Sequence, residues 1–490
     1  MTLSNRKLLY LAAQVRELDR VTIEERGIRG LVLMRRAAEA CVAETLDRYP
    51  DAASVAVLCG SGNNAGDGFI IAGLLANRGK RVRVGLVGRI PDAGTDAGSA
   101  YQFCHDSGVQ IGTAPEALEG ADFVVDALLG TGISGEVRPD YAEAIDAVNR
   151  GDWSVLSVDI PSGLSSDTGN IQGVAISADV TVTFIGRKLG LFTADGPEFA
   201  GEVVFADLDV PVDVYDAVKP VAGSLDYSVL SARLKPRHRN SHKMSHGHVL
   251  VVGGNEGMGG AIIMAAESAI MTGAGLVSVA THPSNVGSVL ARRPEVMPRG
   301  ISSVTELTAL IDRCTAIVLG PGLGRDEFSR MLFNEVMASD KPLVVDADGL
   351  NLLSESPVHR QNWILTPHPG EAERLLGASV QVDRLAAITR LQKKYGGVAL
   401  LKGAGTLLSD GETVSLVPYG NPGMAVAGMG DVLSGVIGSL LAQTQQQMFA
   451  AQLGAVVHSL AADNVSADRG ERGLLATELV PEMRRLLNPE

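Results

Sequence analysis

The chain has 490 residues, which is too long for one ordinary hydrophobic core, so two domains are expected. Hydrophobic residues make up 46% and charged residues 20%, a composition that argues against an intrinsically disordered chain. The formal net charge of −14 argues against a general nucleic-acid binder, which needs a basic face. It leaves room for small anionic ligands held by backbone amides, a lysine or a metal ion.

Cysteine usage and hydropathy predict a cytoplasmic protein with no membrane partner. The four cysteines are scattered with no CxxC pair, which is typical of a reducing compartment and gives no zinc site. The longest apolar stretch, 261–280, contains Glu267 and a break at Gly273 and Gly275, so it predicts a helix and a strand rather than a membrane span. The apolar run LLYLAA near the start is too short for a signal peptide.

A glycine loop follows the first clear apolar strand. The strand 54–58 (SVAVL) runs into CGSGNNAGDG, and a helix over about 66–78 and a strand over 81–87 follow. This order is the building block of an open parallel sheet. The loop glycines miss the G-x-G-x-x-G spacing, so the loop is not a dinucleotide fingerprint.

The polar residues of this loop suit a ligand. The adjacent amides of Asn63 and Asn64, with Asp67, offer donors and oxygens to a sugar, a phosphate or a hard cation. An Asn-rich turn without a ligand is the alternative, since Asn-Asn and Asp-Gly are ordinary turn formers.

Two further strands end in polar residues. The run 123–129 (FVVDALL) contains Asp126, and the run 154–160 (SVLSVDI) contains Asp159 and is followed by Pro161-Ser162-Gly163. Ligands of open α/β sheets bind outside the carboxyl ends of the strands. We therefore predict that Asn64, Asp126, Asp159 and Ser162 gather in one crevice.

These three loops, GSGNNAGDG, VDALLGTG and VDIPSGL, together resemble the epimerase domain of the NAD(P)H-hydrate repair enzymes. That family interconverts the R and S hydrates of NADH and NADPH, and the resemblance implies a Rossmann-like α/β/α domain. It implies K⁺ held by Asn64, Asp126 and Ser162, whose oxygens suit a hard cation. It also implies a catalytic role for Asp159, and substrate contacts at Asn63, Asn64, Ala65, Gly66, Asp67, Gly130, Thr131, Gly132, Ile133, Ser134, Gly135, Glu136 and Asp159. Ala65 stands where the family more often has glycine, and we expect it to restrict φ there.

A domain boundary is predicted near residue 225, because the regular pattern decays after the strand 204–209. The domains are then 1–225 and 226–490. Four histidines follow the boundary, at positions 238, 242, 246 and 248, and histidines four residues apart can bind a metal on a helix. The stretch RHRNSHKMSHGH has no helical apolar face, so a solvated connector is the preferred interpretation.

The second half repeats an α/β rhythm. Apolar strands lead in turn into GGNEGMGGA, GPGLGR, DADGLN, TPHPGE and KGAGT. Asp410-Gly411, between TLLS and TVSLV, predicts a hairpin and hence an antiparallel edge of the sheet.

The stretch 421–435, NPGMAVAGMGDVLSG, predicts a backbone turn at 427–430 and a helix beginning near Asp431. Free N–H groups at a helix start bind phosphate, which a carboxylate at the same place repels. We therefore interpret Asp431 as a base that takes a proton from a hydroxyl while the amides hold phosphoryl oxygens. A helix cap is the alternative role.

Together with GPGLG, VDADGLN, TPHPGE and LKGAGT, this stretch resembles the dehydratase partner of the same repair system, which has the ribokinase-like fold. The resemblance implies that Ala261, Gly322, His368 and Asp431 contact the hydrated nucleotide. It implies ADP at Lys402, Gly403, Ala404, Gly405, Thr406 and Gly430, with Mg²⁺ at the phosphates. Met429 stands where the family usually has threonine, and we expect weaker phosphate binding.

The two resemblances predict a bifunctional α/β enzyme of two three-layer α/β/α domains, and a homo-oligomer is expected. The first domain epimerises R- and S-NAD(P)H hydrate, and the second dehydrates the S form at the expense of ADP, giving AMP and phosphate. One alternative is a thiazole or hydroxymethylpyrimidine kinase, which shares the ribokinase-like fold and the Gly-Xaa-Gly-Asp base. In that case the first domain is a non-catalytic binding module.

Overall fold

The computed structural model describes residues 7–133 and 135–488 and divides the chain into two compact units, Met1–Gly223 and Ser224–Glu490. Ser134, which the resemblance placed at the substrate, lies outside the described residues.

A parallel sheet organises the first unit. Its described strands, β1 to β10, are Leu8–Tyr10, Ser54–Cys59, Arg81–Leu86, Gln110–Gly112, Phe123–Ala127, Ser154–Val158, Val180–Phe184, Arg187–Lys188, Glu202–Ala206 and Ala222–Ser224. Its described helices, α1 to α7, are Ala12–Arg20, Gly30–Arg48, Asn63–Asn77, Asp96–Asp106, Ala114–Leu118, Pro139–Arg150 and Gly196–Phe199. Over the residues described, seven strands form the main sheet in the order β4-β3-β2-β5-β6-β7-β9, all parallel. The short strand β1 pairs with β8 in parallel and with β10 in antiparallel register.

Helix α3 begins at Asn63, three residues before the predicted start, because Gly62 takes an extended conformation and serves as the N-cap residue. Asn63 to Asp67 therefore form the first turn of a helix and not a preceding loop. Ala65 is helical and fully buried, and its φ is not positive, so alanine causes no conformational restriction here.

The second unit is built on a larger sheet. Its described strands, β11 to β19, are His248–Val252, Leu276–Thr281, Met297–Gly300, Ala316–Leu319, Leu343–Val345, Trp363–Leu365, Val398–Leu401, Thr406–Ser409 and Val414–Val417. Its described helices, α8 to α18, are Tyr227–Ser231, Gly259–Met271, Val286–Arg292, Val304–Ile311, Glu327–Ala338, Ala347–Glu355, Pro369–Leu376, Arg384–Tyr395, Met429–Thr444, Gln447–Arg469 and Leu479–Leu486. The strand order is β13-β12-β11-β14-β15-β16-β17-β18-β19.

The predicted antiparallel edge of this sheet is confirmed. The seven strands β11 to β17 are parallel to one another, whereas β18 is antiparallel to both β17 and β19. The Asp410 side chain orders the hairpin by accepting hydrogen bonds from the backbone N–H groups of Glu412 at 3.0 Å and Thr413 at 2.9 Å.

Helix α16 lies in the core of the second unit, and close packing fixes its position. A Cβ atom at Gly435 would lie 2.2 Å from the carbonyl oxygen of Ala265 on α9, and one at Gly438 would lie 2.3 Å from Val318 of β14. Glycine therefore lets the helix approach both neighbours. Side chains such as Val436 and Ile437 are fully buried, and each such burial stabilises the fold by roughly 1.5–3 kcal/mol. The start of α16 is thereby held at the carboxyl ends of the strands.

The histidines after the boundary make protein hydrogen bonds. His246 Nε2 lies 2.9 Å from Ser241 Oγ, and the buried His248 contacts the Arg313 carbonyl at 3.1 Å and Ser278 Oγ at 2.8 Å. Within 7–133 and 135–488, no group of three or more His, Cys, Asp or Glu residues is placed to hold a metal ion. The connector interpretation is therefore the better one. No helix in the described part of the chain has the length and apolar character needed to cross a membrane.

Candidate active sites

The first site lies at the carboxyl ends of β5 and β6 and is centred on Asp126, which is fully buried. Asp126 Oδ2 accepts hydrogen bonds from Ser157 Oγ and from the Ser162 backbone, both at 2.8 Å. Its Oδ1 accepts one from Ser162 Oγ at 2.5 Å and one from the Leu128 backbone at 3.2 Å. Burial raises the pKa of Asp126, and the hydrogen bonds from Ser162, Ser157 and Leu128 oppose that rise.

The peptide groups of Leu129 connect the three predicted cation ligands. The Leu129 N–H donates to Ser162 Oγ at 2.8 Å, and Asn64 Nδ2 donates to the Leu129 carbonyl at 3.1 Å. The structure thus brings Asn64, Asp126 and Ser162 together, as the strand ends predicted. The donors to Asp126 are all neutral, and the surrounding ligands are carboxylate, hydroxyl, amide and carbonyl oxygens, which hard cations prefer. These residues fit a bound K⁺, which would supply a positive charge beside the buried carboxylate.

Asp159 makes its contacts elsewhere. It follows β6 with φ at +68°, a conformation that non-glycine residues adopt rarely and at a cost of about 1–3 kcal/mol. Its Oδ1 accepts hydrogen bonds from Thr183 Oγ1 at 3.3 Å, from the Phe184 backbone at 3.1 Å and from Lys188 Nζ. These bonds join the Asp159 carboxylate to residues of β7 and β8, whereas Asp126 is bonded to Ser157, Ser162 and Leu128.

Two more carboxyl groups belong to the surroundings of Asp159. Burial raises the pKa of Asp67 well above its usual range, and the charges of Asp159 and Asp19 raise it further. Burial also raises the pKa of Asp19 to about 6, with Lys188 acting against it. Sequence reasoning missed Asp19 and Lys188. An aspartate on an amphipathic helix is typical of a solvated face, and a lone lysine after a strand gives no signal of its own.

The remaining predicted substrate contacts of this unit lie on an irregular loop between β5 and α6. Gly130, Thr131 and Ile133 are partly buried, and Gly132, Gly135 and Glu136 are exposed. A Cβ atom at Gly130 would lie 3.2 Å from Asn64 Cβ, so this loop begins directly beside the first turn of α3.

The second site is built around Lys402, at the end of β17. Lys402 Nζ donates a hydrogen bond to Asp346 Oδ1 at 2.7 Å, and Asp346 ends β15. Gly430 lies beside both, because a Cβ atom there would be 3.1 Å from Lys402 Nζ and 3.5 Å from Asp346 Oδ2. Burial lowers the pKa of Lys402, but the charges of Asp346 and Glu371 outweigh burial and raise it above its usual value.

Asp431 lies in the first turn of α16. The N-cap residue of that helix is Gly428, with φ at +92°, and no side chain caps the helix there. The helix-cap interpretation is therefore not supported. Burial raises the pKa of Asp431 to about 7, and the negative charge of Asp346 contributes in the same direction. A carboxylate with a pKa near neutrality is matched to general-base catalysis.

His368 and Glu371 lie at the start of α14, next to Lys402. His368 caps the helix, because its ring Nδ1 accepts a hydrogen bond from the Gly370 N–H at 3.1 Å. The backbone N–H of His368 donates to Glu371 Oε2 at 2.9 Å. Burial lowers the pKa of His368, and the charge of Lys402 lowers it further. Burial raises the pKa of Glu371 to about 7. Sequence reasoning placed His368 at the site but missed Asp346 and Glu371, although both follow strand ends in the quoted motifs.

Ala261 of α9 and Gly322, in the loop after β14, lie next to each other. Gly322 has φ at +58°, and a Cβ atom there would be 3.2 Å from Ala261 Cβ. The next glycine of the loop, Gly324, donates its N–H to Asp348 Oδ2 at 2.9 Å. Asp348 in turn contributes to the raised pKa of Asp431, so this loop and the predicted base share one region.

The loop 402–406 joins β17 to β18, and at its start the Lys402 N–H donates to the Pro367 carbonyl at 2.9 Å. Gly403 and Gly405 have positive φ, and Ala404 between them is exposed. Thr406 Oγ1 donates to the Gly403 carbonyl at 3.1 Å. Behind the loop the buried Arg384 donates to the carbonyl groups of Leu401 at 3.3 Å and Lys402 at 3.2 Å. Sequence reasoning missed Arg384, which lies far from the loop in sequence.

Met429 is the first residue of α16, and its side chain is buried in the apolar core of the unit. The side chain therefore packs away from solvent, and only the backbone of this residue is available to a phosphate. The expected weakening of phosphate binding stays a prediction.

Fold and sites define a class of enzyme. An α/β domain with a buried aspartate at its strand ends is followed by a ribokinase-like domain in which a helix N-terminus, a lysine and aspartates lie together, and such groups suit phosphoryl transfer. One family model, described as NAD(P)H-hydrate dehydratase, matches residues 249–485, and another, described as YjeF-related protein N-terminus, matches residues 30–190.

Relatives agree with both models. A bifunctional NAD(P)H-hydrate repair enzyme from Coxiella burnetii is 47% identical over 487 residues, covering 98% of this chain and all of the relative. One from Escherichia coli K12 is 40% identical, covering 98% of this chain and 94% of the relative. A ribokinase-like superfamily protein of known structure from Enterococcus faecalis V583 is 31% identical with a TM-score of 0.51, covering 53% of this chain and 93% of that one.

The chain belongs to the bifunctional NAD(P)H-hydrate repair enzyme family. It is an enzyme with epimerase and dehydratase activities, and the small-alcohol kinase alternative is not favoured.

Proposed function

We propose that Asp431 is the general base of the dehydratase reaction and that ADP is the phosphoryl donor. The observation that carries this proposal is the position of Asp431 in the first turn of α16, beside the Lys402–Asp346 pair, with its pKa raised to about 7. At neutral pH a large fraction of such a base is ionised and still accepts a proton readily.

The proposed reaction begins on the S hydrate. Asp431 takes the proton of the C6 hydroxyl, and the hydroxyl oxygen attacks the β-phosphorus of ADP. A new oxygen–phosphorus bond forms as the bond to the AMP oxygen breaks. The carbon–oxygen bond at C6 then breaks with release of phosphate, assisted by the electron pair of the ring nitrogen. Loss of a proton from the neighbouring ring carbon restores the double bond of NAD(P)H.

The residues that would hold ADP are Lys402, Gly430 and the loop that contains Gly403, Ala404, Gly405 and Thr406. A glycine loop, the N-terminus of a helix such as α16 and one lysine are the groups that hold phosphates in other nucleotide sites. We propose that the hydrated nucleotide lies along Ala261, Gly322 and His368, next to Asp431.

Mg²⁺ would neutralise charge on the phosphates. Asp346 and Glu371 are the carboxylates that lie beside Lys402 and would be its protein ligands. Mg²⁺ is usually held by one or two carboxylates, water and substrate phosphates. This donor set fits that pattern, since the described residues offer no complete cluster of acidic ligands.

For the first unit we propose that Asp159 exchanges a proton with the hydrate and that K⁺ binds at Asn64, Asp126 and Ser162. The hydrogen bond from Lys188 to the Asp159 carboxylate supports the first assignment, and the oxygen ligands around Leu129 support the cation. The first turn of α3 and the loop that contains Gly130 would contact the substrate. The buried, unpaired cysteines at 41, 59, 104 and 314 support a reducing cytoplasm.

The test is incubation of the protein with racemic NADPH hydrate, Mg²⁺ and either ADP or ATP. Complete conversion to NADPH, with one phosphate released per NADPH formed, supports both activities after the rate of spontaneous epimerisation is subtracted. Conversion of only half the racemate would mean that the first unit lacks epimerase activity. A stable phosphoester product without phosphate release would contradict the dehydratase mechanism.

A further inference from the structure

We propose that Lys188 is a positioning residue of the epimerase site, which holds the Asp159 carboxylate in place. This inference rests on the proposed role of Asp159. It adds a second residue, Lys188 on β8, on which the action of Asp159 depends.

Lys188 has no freedom to act as a surface charge. Its side chain is 1% exposed and lies on β8. Its ammonium group donates to Asp159 Oδ1, to Thr183 Oγ1 at 3.2 Å and to the Phe184 carbonyl at 3.1 Å. An ammonium group has three protons, so these three bonds use its full capacity and fix its position.

The hydrogen bonds to the Asp159 carboxylate share one acceptor oxygen, Oδ1. Lys188, Thr183 and the Phe184 N–H all donate to Oδ1. In the described part of the chain, hydrogen bonds to this carboxylate reach Oδ1 alone, which leaves Oδ2 available to a ligand. Because the Asp159 side chain is 18% exposed, that oxygen is within reach of a substrate. The arrangement is that of a carboxylate anchored at one oxygen and reactive at the other.

The charges around the pair explain why a cation is needed. Asp19 on α1, Asp67 on α3 and the Cys41 thiol on α2 all interact electrostatically with Asp159, and each would be negative if ionised. Tyr10 of β1 lies opposite Lys188 in the strand register and stays neutral, since burial raises its pKa to about 12. Carboxyl groups that share a site cannot all ionise without compensation. Lys188 therefore supplies the positive charge that compensates these groups.

The backbone supports the same conclusion. A positive φ at an aspartate is unfavourable, and the surrounding structure must offset it. The bonds from Lys188 and Phe184, with the Asp159 N–H donating to the Val182 carbonyl at 2.7 Å, hold the residue in this conformation. Loss of Lys188 therefore removes a hydrogen bond that orients the Asp159 carboxylate.

The test is Lys188→Met, which keeps the length of the side chain and removes its charge. We expect R-to-S exchange of NADPH hydrate to fall by about 10²- to 10⁴-fold at pH 7, the range for loss of a general acid or base. We also expect the pH–rate profile of exchange to change shape, because the variant lacks the positive charge that contacts Asp159. Dehydration of pure S hydrate by the same protein should not change. Lys219→Met, which removes an exposed lysine of the same unit, is the matched control and should exchange at the wild-type rate.

A double variant, Lys188→Met with Asp159→Asn, covers the case in which the single variant folds poorly. It removes both charges together, so it should melt near the wild-type temperature and exchange no more slowly than Asp159→Asn alone, since the two residues act as a unit. Additive losses would overturn the inference. So would near-wild-type exchange by a folded Lys188→Met protein, or a loss that is equal at every pH, which indicates a structural role alone. Wild-type protein without exchange above the spontaneous rate would instead overturn the proposed function of the first unit.

Discussion

Lys402 Nζ and Asp346 Oδ1 lie 2.7 Å apart, although the two residues belong to different motifs and to strands that are not adjacent. Asp346 directly follows β15 and Lys402 directly follows β17, with β16 between the two strands. Asp346 is 2% exposed and Lys402 is 20% exposed at the side chain. The pair places a fixed positive charge beside Gly430 at the start of α16. It also places a negative charge near Asp431, which helps to raise the pKa of that base.

Substitution of the two partners should therefore have different effects. Lys402→Met is expected to raise the KM for ADP about 10- to 100-fold, because a charge-assisted hydrogen bond contributes about 1.5–3 kcal/mol. Asp346→Asn is expected to lower the pKa of Asp431 and move the acid limb of the dehydration pH profile to lower pH. Initial rates over a range of ADP concentrations and pH values measure both. An unchanged KM for ADP in Lys402→Met would place ADP elsewhere.

Asp431→Asn should abolish dehydration while nucleotide binding stays largely intact. Removal of a general base costs about 10²- to 10⁴-fold in rate. The rate of NADPH formation from pure S hydrate measures the loss, and ADP titration of the same variant is the control for binding. A variant with more than about a tenth of the wild-type rate would show that Asp431 is not the base.

Dehydration should depend on the ionisation of Asp431. Burial raises its pKa to about 7, so the rate should fall as the pH drops through 7 and the base takes up a proton. A pH–rate profile under saturating substrate measures this. A rate that stays constant between pH 8 and about 5 would contradict the assignment.

The same pKa has a consequence for stability. A carboxyl group whose pKa is raised on folding is favourable at low pH, and its contribution is lost as the pH rises from its usual value of 3.8 through about 7. Asp431→Asn removes the buried charge, so it should stabilise the protein above pH 7 by on the order of 1 kcal/mol and have little effect near pH 4. Melting temperatures at both pH values measure the difference. A variant less stable than wild type at pH 8 would mean that the charge of Asp431 is favourable in the folded protein.

Asp159→Ala should stop epimerisation and leave dehydration of pure S hydrate unchanged. The expected loss of R-to-S exchange is about 10²- to 10⁴-fold. Exchange is measured with and without K⁺, beside the melting temperature, so that loss of folded protein is separated from loss of turnover. Exchange near the wild-type rate in a well-folded variant would show that Asp159 is not the group that exchanges a proton with the hydrate.

The two units should fold independently. Each has its own apolar core, and the division between compact units falls between Gly223 and Ser224. We expect limited proteolysis to give stable fragments cut between about 210 and 245, and separately expressed chains of 1–225 and 226–490 to retain epimerase and dehydratase activity respectively. Failure of both chains to fold would argue against this boundary.

The sequence by itself determined the class of fold and the strand ends at which the polar residues lie. Apolar strands followed by glycine or acidic turns are local patterns, and the carboxyl ends of parallel strands lie at one edge of a sheet. Asn64, Asp126 and Ser162 were predicted to meet for this reason, and they do. The hairpin at Asp410-Gly411 was predicted from its turn residues alone. Local patterns of this kind survive in the folded protein because the backbone conformation of each turn depends on a few adjacent residues.

Only the tertiary structure decided which charges share a site. Asp159 was expected in one crevice with Asp126, and only the structure shows that it bonds to Lys188, which lies 29 residues further along the chain. Asp346 and Glu371 join Lys402, and Asp19 joins Asp67, through the order and register of strands and the packing of helices. Ion pairs act through space at a few ångströms, so a substitution on another strand changes them as much as a substitution at an adjacent residue. No local pattern in the sequence encodes such distances, so the contacts of Asp159 and the raised pKa of Asp431 are properties of the folded chain.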